Sequence, residues 1–125
     1  MQVATVVVVD DEPPIVGLLC DTLDDAGYTA VSCLFGAKAY PCVLEHLPQL
    51  VLLDVQMPGV DGIQVFEQIR SNPLTMAIPV IFLTANSQLV KQRLPDYRAR
   101  GAALLPKPFD LETLLNLVEQ FAKAS

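Results

Sequence analysis

The chain is short of basic residues and of histidine, and these shortages exclude several functions. It carries 8 Lys and Arg against 14 Asp and Glu, for a net charge of -6, and has a single His. Nucleic-acid binding needs basic side chains that neutralise phosphates, so we expect no direct nucleic-acid partner. Zinc prefers His and Cys ligands, which are too few here. The acidic balance instead suits a protein that binds cations.

Cysteines and long apolar runs are also scarce. Cys20, Cys33 and Cys42 are odd in number and lack C-x-x-C spacing, so buried free thiols are a better interpretation than a disulfide or a zinc site. No run approaches the ~18 apolar residues that span a bilayer, so we expect no membrane partner. The first strand is predicted to begin almost at the N-terminus. A reducing, cytoplasmic location is the expectation.

The 125 residues contain no linker, repeat or low-complexity segment, and we expect one domain over residues 1–125. A hydrophobic content of 52% indicates a sheet covered on both faces. Short apolar runs without alternation predict buried parallel strands at Ala4–Val9, Thr29–Cys33, Leu50–Leu53, Val80–Leu83 and Ala103–Leu105. Helical patterns between them predict an α/β fold with a doubly wound sheet.

Five helical stretches connect the strands. The first begins at Pro13 and stops at Gly27, and the last is capped by Asp110. The others are predicted at about Ala37–Leu47, which contains Pro41, at Gly62–Arg70 and at Asn86–Arg100. Pro95 should break or kink the Asn86–Arg100 helix, because it removes an amide donor and clashes with the preceding turn. Ser71–Ile78 is predicted to be a loop.

Residues suited to phosphoryl chemistry follow four of the five strands. Asp10 and Asp11 follow the first, Asp54 closes the third, Thr84 follows the fourth, and Lys107 comes after the fifth. Ligands of open α/β sheets bind outside the carboxyl ends of the strands. We therefore expect three carboxylates, a hydroxyl and an ammonium at one edge of the sheet.

The three carboxylates predict a magnesium site. Like charges at close range raise one another's pKa and cost stability unless a cation joins them. Hard oxygen ligands with room for water suit Mg2+. As an alternative, Asp10 or Asp11 caps the helix that begins near Pro13. That alternative does not account for Asp54, which is followed by a Pro-Gly loop.

A carboxylate beside Mg2+ can attack phosphorus and form an acyl phosphate. Mg2+, Lys107 and the Thr84 hydroxyl could each neutralise one equatorial oxygen. Taken singly, Thr84 would more often satisfy backbone groups, and Lys107 would more often be a solvated surface lysine. Their positions at separate strand ends, together with the Asp cluster, favour the functional interpretation.

The chain resembles the receiver domain of two-component response regulators over about Ala4 to Lys123. The matching motifs are Asp10-Asp11, Asp54 with Met57-Pro58-Gly59 and Asp61-Gly62, Thr84-Ala85, Gly101-Ala102 and Lys107-Pro108-Phe109. The resemblance implies a flavodoxin-like, five-stranded parallel sheet in the order 2-1-3-4-5 with five helices. It also implies a cis peptide bond between Lys107 and Pro108.

The resemblance implies a role for each site residue. Asp54 would accept a phosphoryl group from a phosphohistidine on a sensor histidine kinase or a histidine phosphotransfer protein. Asp11, Asp54 and the Gln56 backbone carbonyl would ligate Mg2+, with Asp10 bound directly or through water. Thr84 and Lys107 would contact the phosphoryl oxygens. The phosphorylated state would be relayed to a downstream protein partner or a fused output domain.

The chain departs from the family pattern in one region. Leu104 stands three positions before Lys107, where family members usually carry an aromatic residue. The spacing from Thr84 to Gly101 is longer than usual, and the spacing from Gly101 to Lys107 is one residue shorter.

Three functions remain to be weighed. The first is a phosphorylation switch with slow self-hydrolysis, which is not an enzyme acting on external substrates. The second is an interaction module of the same fold that does not use its acidic site. The third, a phosphohydrolase of the haloacid dehalogenase type, would need an acid at position 56, where Gln56 stands. The sequence is compatible both with a single-domain regulator and with a piece of a larger regulator or hybrid kinase.

Overall fold

A computed structural model describes residues 4–85, 88–92 and 94–122. Its central sheet has five parallel strands, which are β1 (Thr5–Val9), β2 (Thr29–Cys33), β3 (Leu50–Asp54), β6 (Val80–Thr84) and β7 (Ala102–Pro106). Their order across the sheet is β2-β1-β3-β6-β7. Two short strands, β4 (Gln56–Met57) and β5 (Val60–Asp61), form a separate antiparallel hairpin. If the hairpin strands are left out of the numbering, β6 and β7 become the fourth and fifth strands and the order is the expected 2-1-3-4-5. The α/β class and the topology are therefore confirmed.

The unbroken apolar runs reflect burial on both faces of the sheet. Every residue of β3 and β6 is buried. In β1, Val7 and Val9 face one core, and Val6 and Val8 face the other, because successive strand residues point to opposite faces. Alternation of apolar and polar residues is therefore lost, as expected for an inner parallel strand.

The helices cover the two faces. They are α1 (Pro13–Asp25), α2 (Ala39–His46), α3 (Gly62–Arg70), α4 (Gln88–Lys91), α5 (Leu94–Ala99) and α6 (Leu111–Ala122), with a 3-10 turn at Gly36–Lys38. Residues of α1 and α6 line one core, and residues of α2, α3, α4 and α5 line the other. The predicted stop of the first helix at Gly27 and the predicted N-terminal cap of the last helix by Asp110 are both confirmed. Gly27 has a φ of 95°, and Asp110 Oδ1 accepts a hydrogen bond from the Thr113 amide at 2.7 Å.

Two prolines sit where a helix tolerates them. Pro41 is the third residue of α2, and Pro95 is the second residue of α5. Amides in the first turn of a helix have no intrahelical acceptor, so proline there costs no hydrogen bond. The predicted break in the Asn86–Arg100 helix is confirmed, since α4 ends at Lys91 and α5 begins at Leu94, one residue before Pro95. Asn86, Ser87 and Arg93 lie outside the described residues.

The cysteine expectation is corrected in part. All three thiols are free, but only Cys33 is buried, whereas Cys20 and Cys42 are partly exposed. Burial and nearby groups raise the pKa of both Cys20 and Cys42, with Asp24 acting on the former and Cys33 on the latter. Within the described ranges, every helix is too short or too polar to cross a bilayer.

Candidate phosphoacceptor site

The predicted acidic residues meet at the carboxyl edge of the sheet. β1 pairs with β3 so that Val9 lies opposite Leu53, which places Asp10 beside Asp54 one step further along both strands. One ligand atom from each of Asp10, Asp11 and Asp54 lies within 4.8 Å of the others. Asp10 is fully buried and Asp54 is 4% exposed. The cluster thus holds negative charge at a depth where it needs a positive partner.

Lys107, which follows the edge strand β7 at the same carboxyl edge, supplies such a partner. Its Nζ donates to Asp10 Oδ2 at 2.7 Å and lies 3.6 Å from Asp54 Oδ1. The Lys107-Pro108 peptide is cis, as predicted. The Lys107 amide donates to the Thr84 carbonyl at 2.8 Å, which ties the start of this turn to the end of β6.

The electrostatics of the site centre on Asp54. Its pKa is raised to about 7, with burial as the largest cause and the Asp10 carboxylate as the next. Lys107 acts in the opposite direction, while Asp11 adds to the increase. Two neighbouring carboxylates and little solvent make the ionised form of Asp54 unfavourable without an added cation. Binding of a cation at this site would therefore stabilise the ionised form of Asp54.

Lys107 keeps its charge in this setting. Burial by itself lowers the pKa of its ammonium, but the hydrogen bond and charge of Asp10, and the charge of Asp54, raise the pKa above its ordinary value. The side chain is 12% exposed. A protonated lysine next to two buried carboxylates offers a fixed positive charge to any anionic group that enters.

The remaining predicted residues lie around this cluster. Thr84 ends β6, is buried, and lies one residue beyond Leu83, the β6 partner of Asp54. Gln56 is exposed in the β4–β5 hairpin and pairs with Asp61. The Gln56 backbone carbonyl therefore lies two residues beyond Asp54, and its role as a metal ligand stays a prediction.

The loop after Asp54 is held by a close backbone approach at Gly62. The Gly62 amide donates to the Val55 carbonyl at 2.8 Å. A Cβ added at Gly62 would lie 2.2 Å from the Asp54 carbonyl oxygen and 2.8 Å from Val55 Cα. Asp61 caps α3 by accepting from the Ile63 amide at 2.8 Å, and Gln64 completes the capping box. A side chain at Gly62 would thus force the backbone of Asp54 and Val55 to move.

One contact of the site was not predicted. Glu12 Oε2 lies 3.4 Å from Lys107 Nζ, so Glu12 is a third acid, after Asp10 and Asp54, that faces the lysine. Its place directly after Asp10-Asp11 was the available signal.

The alternative in which Asp10 or Asp11 caps α1 is wrong, because Glu12 is the N-cap residue and makes no side-chain cap hydrogen bond. Asp10 Oδ1 instead accepts from the Glu12 amide at 3.1 Å.

The donor set fits a hard divalent cation. Three carboxylates within reach of one another, partly desolvated and with an open side at the half-exposed Asp11, match the oxygen ligands that Mg2+ takes. The raised pKa of Asp54 indicates that a cation would relieve charge repulsion there. The same group of side chains can bind an anion through Lys107.

Comparison with known proteins identifies the family. The model of the response regulator receiver domain matches residues 6–119. The chain belongs to this family, whose members are the receiver domains of two-component systems.

Individual relatives agree with this result. The chain is 33% identical over 110 residues to the DNA-binding dual master transcriptional regulator RpaA of Synechocystis sp., covering 88% of this chain and 45% of RpaA. It is 36% identical over 121 residues to the DNA-binding transcriptional regulator NtrC of Escherichia coli K12, covering 96% of this chain and 25% of NtrC. The chain therefore spans less than half the length of these relatives.

Solved structures show the same fold. The chemotaxis protein CheY4 of Vibrio cholerae superimposes with a TM-score of 0.85 at 29% identity, covering 96% of this chain and 99% of CheY4. The N-terminal domain of a response regulator receiver protein from Methanoculleus marisnigri gives a TM-score of 0.78 at 30% identity, covering 99% and 100% of the two chains.

Proposed function

We propose that this receiver domain is a phosphorylation-dependent switch in which Asp54 accepts a phosphoryl group from a phosphohistidine donor with the help of Mg2+. The observation that carries the proposal is the position of Asp54 beside the ammonium of Lys107, which also pairs with the fully buried Asp10. Asp54 combines a place at the carboxyl end of an inner strand with a cationic partner and neighbouring metal-ligating oxygens.

The transfer needs an ionised Asp54. A carboxylate oxygen of Asp54 attacks phosphorus, a P–O bond forms, and the P–N bond to the donor imidazole breaks with the electron pair remaining on the imidazole. Asp10, Asp11 and Asp54, with the Gln56 carbonyl, would hold Mg2+, which supplies charge neutralisation when bound. Lys107 keeps a positive charge beside the phosphoryl oxygens, and the Thr84 hydroxyl can donate to another of them.

The histidine kinase or phosphotransfer protein, and the partner or output domain that reads the state, belong to the same proposal. Relatives that are DNA-binding regulators are much longer than this chain, which supports a receiver that controls a separate or fused output. The acidic net charge supports a receiver that does not itself bind nucleic acid, so any such binding would belong to the output partner or domain.

Phosphoryl transfer can be tested by intact mass. The purified protein is incubated with phosphoramidate and Mg2+, and a single phosphoryl adduct is expected. The adduct should be absent in Asp54→Asn and retained in Asp21→Asn, a change of equal charge at an exposed position of α1. An adduct of undiminished yield on Asp54→Asn would refute the assignment. No adduct on the wild type would favour the interaction module that leaves its acidic site unused.

A further inference from the structure

The connection between β2 and α2 touches both sides of the candidate metal site. On one side, the Cys33 carbonyl at the end of β2 accepts a hydrogen bond from the Asp10 amide at 3.2 Å. On the other side, the 3-10 turn Gly36–Lys38 packs against the β4–β5 hairpin, which carries Gln56. The connection thus contacts the backbone around two of the predicted metal ligands, although it supplies no ligand itself.

The contact between the turn and the hairpin is made at Gly36, which is buried. A Cβ added at Gly36 would lie 2.9 Å from Val60 Cβ and 3.3 Å from Met57 Cε. Carbon atoms in favourable contact are about 3.5–4.0 Å apart, so a methyl group there does not fit. Met57 and Val60 are cross-strand partners in the hairpin. The hairpin therefore rests on the bare backbone of Gly36.

The turn is held more firmly than the hairpin. The Phe35 carbonyl accepts from the Lys38 amide at 3.0 Å and from the Cys33 thiol at 3.2 Å, and Ala39 anchors the start of α2 in the core. Each strand of the hairpin has only two residues. The hairpin also borders an open cavity of about 620 Å³, which leaves it room to shift. A side chain at position 36 would thus displace the hairpin.

We propose that Gly36 is a positioning residue for the metal site, because it lets the hairpin lie where the Gln56 carbonyl can join the carboxylate cluster around Mg2+. This inference rests on the proposed function, in which that carbonyl is a metal ligand. A backbone carbonyl has no rotamers with which to compensate for a displacement. The pairing of Gln56 with Asp61 and of Met57 with Val60 makes the hairpin move as a unit.

Titration of the unphosphorylated protein with MgCl2, followed by NMR amide shifts at constant ionic strength, tests the proposal. Gly36→Ala should raise the Kd for Mg2+ at least about tenfold, the lower end of the effect of residues that support metal ligands. Gly17→Ala is the matched control, because a Cβ there meets no atom within 4 Å, and it should bind as the wild type does. The φ of Gly36 lies outside the left-handed region, so alanine suits its backbone and the variant should fold.

The two ways in which this titration can fail are distinct. A wild type without saturable Mg2+ shifts would refute the metal site of the proposed function, and this inference with it. A wild type that binds Mg2+ beside a Gly36→Ala variant of equal affinity would overturn the role of Gly36 alone.

A double-mutant cycle with Val60 tests the route. Val60→Gly removes the atom that the new methyl group would meet. In that background, adding Gly36→Ala should change the Kd for Mg2+ by no more than about twofold, as for sites that do not interact. An equal loss of affinity in both backgrounds would show that the substitution does not act through Val60, and would overturn the proposal.

A readout without metal separates positioning from a general loss of structure. In Mg2+-free buffer, Gly36→Ala should shift the amide resonances of Gln56 and Asp61, which pair in the hairpin. The amides of Leu114 and Val118, in the core on the other face of the sheet, should keep their wild-type positions. Unshifted hairpin resonances, or shifts of equal size in both regions, would contradict a local effect on the hairpin.

Discussion

Lys107 Nζ lies 2.7 Å from Asp10 Oδ2, and this contact joins the end of β7 to the end of β1 across the two intervening strands. Asp10 is fully buried, and its other oxygen accepts from the Glu12 amide. The pair neutralises one charge of the acidic cluster, so a cation that enters meets a site that is partly balanced.

Removal of Lys107 should therefore cost stability. Lys107→Ala leaves Asp10 buried without its ammonium, and the loss of one partner of a buried pair typically costs about 3–5 kcal/mol. We expect a loss of about 3 kcal/mol in metal-free urea denaturation, partly restored by Mg2+. Lys91→Ala, at an exposed position, is the control and should change little. Equal stability of the two variants would show that the contact contributes nothing.

Asp54 should make metal-free stability depend on pH. Its pKa is raised from 3.8 to about 7 in the folded protein, chiefly by burial, so the native state binds this proton more tightly than the unfolded state. The resulting stabilisation is complete below the unfolded pKa and is lost as pH rises through about 7. The melting temperature of the wild type should fall over that window more than that of Asp54→Asn. Parallel curves for the two proteins would contradict the raised pKa.

Mg2+ should stabilise the protein through the same carboxylates. Binding to the native state adds RT ln(1 + [L]/Kd), or ~1.4 kcal/mol when Mg2+ is about ten times Kd. Calorimetric melting with MgCl2, against NaCl of equal ionic strength, measures the effect. It should be largely lost in Asp11→Asn. A melting temperature that does not respond to millimolar Mg2+ would argue against a metal site.

Gly62→Ala should disturb the phosphoacceptor loop. The added Cβ would lie 2.2 Å from the Asp54 carbonyl oxygen, so the backbone has to move. Overpacking of this kind costs about 1–3 kcal/mol, and phosphorylation by phosphoramidate should slow because Asp54 is displaced. Gly17→Ala on α1 is the control, because a Cβ added at Gly17 has no neighbouring atom within 4 Å. This substitution should leave stability unchanged or raise it. Wild-type phosphorylation rates in Gly62→Ala would refute this role.

Phosphorylation should change the α4–α5 region most. Leu104 pairs with Phe82 and is only partly buried. It has no hydroxyl group that could gain or lose a hydrogen bond when Thr84 moves toward the phosphoryl group. The response then has to come from repacking of the predicted segment Ser87–Arg100, in which Ser87 and Arg93 lie outside the described residues. Amide hydrogen exchange with and without beryllofluoride should show the largest difference there, and Leu104→Ala should lower stability more than it alters this response. Unchanged protection in α4 and α5, with a response on another face, would disprove this route.

Much of the candidate site could be predicted because its signals are local. A strand that ends in Asp54 or Thr84, and a helix that stops at Gly27, are readable from a few adjacent residues. Parallel strands place their carboxyl ends at one edge, so the meeting of Asp10, Asp11 and Asp54 followed from their positions. The strand order and the cis bond after Lys107 came from the family resemblance and are confirmed.

Other features depended on distances between segments far apart in the chain. The contact of Glu12 with Lys107, the approach of Gly62 to Asp54 and the unpaired donors of Arg70 each join elements whose relative placement is set by sheet register and helix packing. Tyr97, buried against Phe66 and Phe82, is a further case, because α5 has to dock on the sheet before this ring is enclosed. The sequence by itself determined which strands carry the chemistry and where they end. Only the tertiary structure decided which charges pair and which donors are left over, because those interactions depend on how elements far apart in the chain pack against one another.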